Sequence, residues 1–366
     1  MDPRTQRMAE VLVNYSVSIQ PGDWVVIQSP ILGEPLAQAC VEAVLKAGGK
    51  PTVLFSSDDI QETMVRHGSE EQLAFVSPLS TLMVEQADAR ISLLAPRNTK
   101  TMTGVDPAKM AIISRANEPI METFMRRSAS DELRWTIAAY PTYAAAQDAN
   151  MSLSTYQDFV YGAGLLNEDD PVAAWKRMGE RQQKLIDWIS DKKTVHISGP
   201  GTDLTVSVEG RTWLNDEGTK NFPGGEIFTG PIEDSAEGEI QFSFPAFYGG
   251  REVQGVRLRF QAGKVVDASA ASDQAYLLEM LDLDDGARRL GEFAFGTNAG
   301  IQQFTKNVLF DEKMGGTLHM ALGRSYPETG ATNLSALHWD MVYNLRQGSE
   351  VTVDGQPFSQ NGEFCV

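Results

Sequence analysis

The sequence predicts an α/β protein in two parts: an N-terminal open α/β domain over residues 1–193, and a C-terminal mainly antiparallel β (α+β) domain over 194–366. Three observations carry this prediction. Apolar runs alternate with helix-period segments in the first part, the rhythm of a parallel sheet with crossover helices. A long amphipathic stretch near 169–192 separates two textures. Beyond it, short alternating runs turn on Gly-Pro-Gly or Asp-Gly, as antiparallel hairpins do.

Each element follows from local pattern. PGDWVVIQS (21–29) is an apolar run after a turn, and PTVLFSS (51–57) is the next such run. Between them, EPLAQACVEAVLKAGG (34–49) sets Leu36, Cys40, Val44 and Leu45 at helical spacing and ends in a glycine pair. The three together make a βαβ unit. ARISLLAP (89–96) and RWTIAAYPT (134–142) read as further buried strands. DDPVAAWKRMGERQQKLIDWISDK (169–192) places Val172, Trp175, Met178, Leu185, Trp188 and Ile189 on an apolar face, opened by Asp170 before Pro171. It reads as a helix joining the two halves. In the second half, VHISGPGTDLTVSVEGRTW, GEIQFSFPAF, EVQGVRLRFQAGKVVDASA and SEVTVDGQPFSQNGEF alternate and turn, with one helix expected around 273–284.

Composition narrows the function. Net charge is −18, from 31 basic and 49 acidic residues. Such a chain repels phosphate backbones and anionic membranes, so neither nucleic acid nor membrane is an expected partner. Its two cysteines, Cys40 and Cys365, form no CxxC pattern, which argues against a disulfide framework or a thiolate zinc site. No run approaches ~18 uninterrupted apolar residues. The opening MDPRTQRMAEVLVNYSV lacks a secretory apolar core, so a reducing cytoplasm is the expected location. Neither GxGxxG nor GxxxxGK[ST] occurs, and GAGLLN (162–167) follows no clear strand, so no nucleotide site is expected.

The candidate chemistry lies in the second half. NFPGGEIFTGP (221–231) brings Glu226 into a short β run, and RRLGEFAFGTN (288–298) places Glu292 after a Leu-Gly step. LFDEKMGGTLHMALGRSYP (309–327) carries Glu312, His319 and Tyr326. In ALHWDM (336–341) strand alternation puts His338 and Asp340 on one face and Leu337, Trp339 and Met341 on the other. Carboxylates and imidazoles without thiolate suit zinc, cobalt, manganese or similar divalent ions. Four carboxylates crowded together without metal would be driven to protonate in part, whereas two divalent ions balance them and leave the histidines neutral. The arithmetic favours a dinuclear metal site, provided these residues converge.

Plainer readings fit the same residues. Glu226 and Glu292 beside Gly and Pro resemble loop-edge surface residues, and Glu312 in DEK resembles solvated charge. His319 fits a hydrogen-bonded core histidine, His338 with Asp340 fits a surface pair, and Tyr326 fits a loop aromatic. His67 and His196 have no carboxylate companion nearby in sequence and read as structural. A dinuclear hydrolase acting on a phosphoester or non-peptide amide, or a non-catalytic binding module, also remains open.

Taken in order, NFPGGEIFTGP, LGEFAFGTN, DEKMGGTLHMALGRSYP and LHWDM resemble the thermophilic aminopeptidase family of metallopeptidases, the M29 group. PGDWVVIQS and GTDLTVSVEGRTW match weaker family features, so the resemblance spans nearly the whole chain. It implies an enzyme that uses two divalent ions, commonly zinc, cobalt or magnesium, to release N-terminal amino acids from peptides. It implies Glu226, Glu292, Glu312, His319, His338 and Asp340 as metal ligands, Tyr326 as an active-site residue, and a homodimer with its active sites facing an internal cavity. The chain departs from many members in one place: EKMGGTLH is about two residues longer than their Glu-Asn-Ala segment before the histidine.

Overall fold

The βαβ unit expected at 21–57 forms as two parallel strands, Trp24–Pro30 and Lys50–Ser56, joined by the helix Glu34–Lys46. The helix buries Leu36, Ala37, Cys40 and Val44, while Leu45 points outward, 100° round from Val44. Ala89–Leu94 and Arg134–Ala139 extend the sheet in parallel, and the short Asn221–Phe222 segment closes it as a fifth strand. Val25, Ile27, Ala89 and Ile91 are fully buried, as the strands of a covered parallel sheet should be.

The computed structural model describes residues 2–366, and the chain divides into two compact units. The first runs up to Ala174 and takes in Gly218–Pro223; the second comprises Trp175–Glu217 and Gly224–Val366. This division differs from the boundary expected near 193. It falls inside the helix Pro171–Ile189, whose Leu185, Ile186 and Ile189 belong to the core of the second unit.

The second unit holds two large antiparallel sheets and a two-stranded one, Ala246–Tyr248 with Arg251–Val253. The larger runs, edge to edge, through 264–269, 257–261, 237–241, 202–207, 194–199, 350–353, 356–360 and 363–364. The smaller has five strands in the order His338–Asn344, Thr317–Gly323, Leu290–Gly296, Glu226–Thr229 and Leu214–Asp216. We refer to these as the His338, His319, Glu292, Glu226 and Asp216 strands. Ile197, Leu204 and Val351 from the larger sheet share one core with Phe293, Phe295, Leu318, Met320, Trp339 and Met341 from the smaller. Burying each such large side chain contributes about 1.5–3 kcal/mol, which fixes which face of the smaller sheet looks inward.

Two details differ from the sequence pattern. The alternation over 238–247 does not make one strand: Glu237–Gln241 and Ala246–Tyr248 are separate, with Pro245, which cannot donate to a ladder, between them. The expected helix is present at Gln274–Leu281. Among the described residues, no helix is long and apolar enough to cross a membrane.

Candidate metal centre

Alternation on the His338 strand works as the pattern implied. Leu337, Trp339 and Met341 are buried in the core at 1% exposure or less, and His338 and Asp340 share the opposite face. Cross-strand pairing extends that face. His338 pairs with Gly323, Asp340 with Ala321, Ala321 with Glu292, His319 with Ala294, and Gly296 with Glu226. Paired residues in an antiparallel sheet point the same way. Each carboxylate and imidazole therefore has a Gly or Ala beside it, and the small neighbours leave the space above the sheet to the long polar side chains.

A β-bulge brings Glu292 to this face. In a regular strand Leu290 and Glu292 would point the same way. Here the register shifts between them, so Leu290 pairs with Leu322 and Glu292 with Ala321. Leu290 enters the core, while Glu292 turns to the polar face. Gly291 makes the step because the carbonyl oxygens of Gly323 and Arg324 occupy the place a Cβ would take. At the start of the Glu226 strand, Gly225 adopts φ of 120°, a left-handed-side conformation that glycine tolerates and other residues resist.

Both histidines are oriented by the backbone. His319 Nδ1 lies 3.0 Å from the carbonyl of Glu312, and His338 Nδ1 lies 2.8 Å from that of Arg324. A carbonyl oxygen only accepts, so Nδ1 carries the hydrogen in each ring and Nε2 faces the carboxylates. His319 Nε2 is 3.5 Å from both Glu226 Oε2 and Glu292 Oε1. His338 Nε2 is 3.4 Å from Glu292 Oε2 and 3.6 Å from Asp340 Oδ1. Three overlapping trios have donor atoms within 4.8 Å of one another: Glu226, Glu292 and His319; Glu292, His338 and Asp340; and Glu312, His319 and Asp340.

The structure thus gathers all six sequence-named ligand candidates, and they suit a cation. His319 Nε2, Glu226 Oε2 and Asp340 Oδ1 are buried without a hydrogen-bond partner, an arrangement that costs about 1–3 kcal/mol per group unless something binds there. The chain alone compensates with protons. For both histidines burial favours the neutral ring, yet the surrounding carboxylates outweigh it and raise each pKa to about 10. Burial pushes Asp340 up to about 6 and Glu226 well above the usual carboxylate range. Glu292 is the exception: burial opposes its ionisation, but the two histidines hold it at about 2. These shifts describe a cluster short of positive charge.

Tyr326 stands at the rim, 42% exposed, leading into the short turn Pro327–Thr329. Its ring meets His338 and Phe228 edge-on, at centroid distances of 5.4 and 5.5 Å. Partial burial, then the charges of Glu292, Glu312, Asp340 and Glu226, hold its hydroxyl pKa well above the usual value. The group stays protonated and is a donor.

The sequence reading missed the inner support. Lys313, the lysine of the DEK segment, has a side chain with no exposed surface. Its ammonium contacts Glu312, lies 3.2 Å from Glu226 Oε1 and 3.6 Å from Asp216 Oδ2. DEK therefore is not solvated charge: Asp311 accepts hydrogen bonds from the Thr305 amide and hydroxyl, and Glu312 pairs with Lys313. Gln182, on the Pro171–Ile189 helix, donates to the backbone carbonyls of Asp216 (3.1 Å) and Glu226 (2.7 Å) and pins the strand edge. Asn298 donates to the Gly224 carbonyl at 3.0 Å. No local motif marks these residues; only the fold brings them in. His196, read as structural, lies on the larger sheet with Asp203 2.9 Å away.

An antiparallel sheet carrying a buried carboxylate–imidazole centre without thiolate offers the ligand set of a metal-dependent enzyme. The chain belongs to the thermophilic metalloprotease family M29, whose pattern it matches over residues 1–364. Among its relatives, Aminopeptidase 2 of Geobacillus stearothermophilus is 29% identical, covering 95% of this chain and 93% of its own. Aminopeptidase T of Thermus thermophilus is 26% identical, covering 95% of this chain and 90% of its own. The structure of wild-type AmpT from Thermus thermophilus shares the fold, with a TM-score of 0.86 at 24% identity over 100% of this chain and 99% of that one. The family resemblance read from the four motif segments is borne out.

Proposed function

We propose that this chain is a two-metal aminopeptidase that releases the N-terminal residue of peptides. The observation that carries the reading is the carboxylate of Glu292, whose Oε1 faces His319 and whose Oε2 faces His338, at 3.5 and 3.4 Å. One trio, Glu226, Glu292 and His319, would hold one ion; Glu292, His338 and Asp340 would hold the other. A shared carboxylate is suited to the ~3.5–4 Å spacing of two-metal hydrolases. Oxygen and nitrogen donors fit zinc, cobalt or magnesium. When bound, two such ions supply Lewis-acid polarisation of the scissile carbonyl and a water acidic enough to attack it near neutral pH.

The chain's own groups do the rest. Glu292 has both oxygens engaged and is a poor proton carrier. Glu312 stands beside His319 and Asp340 with one oxygen held by Lys313. We assign it the proton shuttle, accepting from the attacking water and returning the proton to the leaving amine. Tyr326 donates to the developing oxyanion, an interaction strongest in the transition state. A free α-amine, held by one of the ions when bound or by a carboxylate of the cluster, would select a free N-terminus. The names of the relatives, Aminopeptidase 2 and Aminopeptidase T, agree with that selection. A cytoplasmic location follows from the cysteine usage and a homodimer from the family resemblance, and light scattering of the purified protein tests the dimer.

The test is hydrolysis of leucyl-p-nitroanilide before and after chelation, with the N-acetylated substrate as control. Activity should vanish on chelation, return with zinc or cobalt, and be absent on the blocked substrate. Undiminished activity in metal-stripped protein would overturn the reading.

A further inference from the structure

Among the described residues of the centre, Lys313 stands out as a lysine ammonium set among carboxylates. Its Nζ faces three carboxylates, Glu312, Glu226 Oε1 and Asp216 Oδ2, and its side chain is wholly buried. A buried ammonium is tolerated only where charge and hydrogen bonds compensate it, and three N–H donors here face three acidic groups. The two oxygens of Glu226 are divided between neighbours: Oε1 lies toward Lys313, and Oε2 toward His319 Nε2. Charge gives the same picture. Asp216, Glu226, Glu292, Glu312 and Asp340 supply five negative charges, which Lys313 and two divalent ions would balance.

We propose that Lys313 is a built-in third cation: a positioning residue that gathers Asp216, Glu226 and Glu312, turns the free oxygen of Glu226 toward the metal trio, and closes this corner to a further metal ion. The inference rests on the two-metal reading but concerns a different corner of the cluster. Removing the ammonium takes away the cation that Asp216, Glu226 and Glu312 share, and the space it filled becomes a carboxylate-lined cation site.

The test counts zinc per chain by mass spectrometry after equilibrium dialysis, for the wild type, Lys313→Ala, Lys313→Arg and Lys313→Ala/Asp216→Asn, with circular dichroism to confirm folding. Lys313→Ala should bind one more ion than the wild type. Lys313→Arg, and the double variant with one carboxylate neutralised, should return to the wild-type count. An unchanged or lower count in folded Lys313→Ala overturns the inference. Should Lys313→Ala not fold without zinc, the count is made on protein refolded in excess zinc: one more ion than the wild type supports the inference, and the wild-type count, or no recovery of the fold, overturns it. The wild-type count separately tests the two-metal reading, because this inference is read only from the difference between variant and wild type.

Discussion

His319 and His338 each commit Nδ1 to a backbone carbonyl and present Nε2 to carboxylates. On the proposed reading each ring is a metal ligand, and its removal then has a specific effect. His338→Ala should lower activity by about two orders of magnitude or more and reduce bound metal, with the circular dichroism spectrum unchanged, since a ligand is lost from an otherwise intact sheet. Tyr326→Phe should behave differently. Losing one oxyanion donor costs about 10²–10³-fold in kcat, and metal content should stay at the wild-type level. A parallel loss of metal would show that the tyrosine is a ligand neighbour and not a transition-state donor. At this scale much was legible, because each candidate sits beside the glycines or alternating apolar residues that place it. Lys313 was not, since a lysine in DEK carries no local sign that its ammonium turns inward onto Glu226.

The centre is a property of strand register. Gly or Ala at 294, 296, 321 and 323 interleaves with the long side chains, and the alternation of FAFG and HMALG announces those positions. The bulge at Gly291 is less legible. A Leu-Gly step before Glu292 reads as a loop edge, and only pairing with the His319 strand shows that it reverses the facing of Glu292. Gly291→Ala should therefore cost about 1–3 kcal/mol, as the added methyl meets two carbonyl oxygens, and activity should fall at least tenfold by displacement of Glu292. Chemical denaturation and kcat/KM measured on one preparation check both halves. Wild-type values in both would show that the bulge does not set the site.

For the whole molecule, the alternating pattern foretold one parallel and one antiparallel architecture, but not that Gly218–Pro223 returns to the first unit. Six residues of chain between two β segments carry no composition that marks such a return. The centre's protons give the whole chain a pH signature. His319 and His338 have folded pKa values of about 10 against 6.5, so in metal-free protein their contribution to stability is full below pH 6.5 and is lost as pH rises through 10. Asp340, raised to about 6, contributes below its unfolded value of 3.8 and loses that contribution as pH rises through 6. Chelated protein should thus melt at progressively lower temperature between pH 5 and 10 in a fluorimetric scan. Metal ions bind the deprotonated ligands, so added zinc should raise the melting temperature more at pH 8 than at pH 6. An equal zinc effect at both values would remove the histidines from the ligand set.

The central claim is that Glu292 is shared between two metal ions. Anomalous diffraction at the zinc absorption edge, on crystals of reconstituted protein, tests it most directly. The account predicts two peaks about 3.5–4 Å apart, one beside Glu226 and His319 and one beside His338 and Asp340, with Glu292 between them. A single peak, or two that Glu292 does not touch, would contradict it.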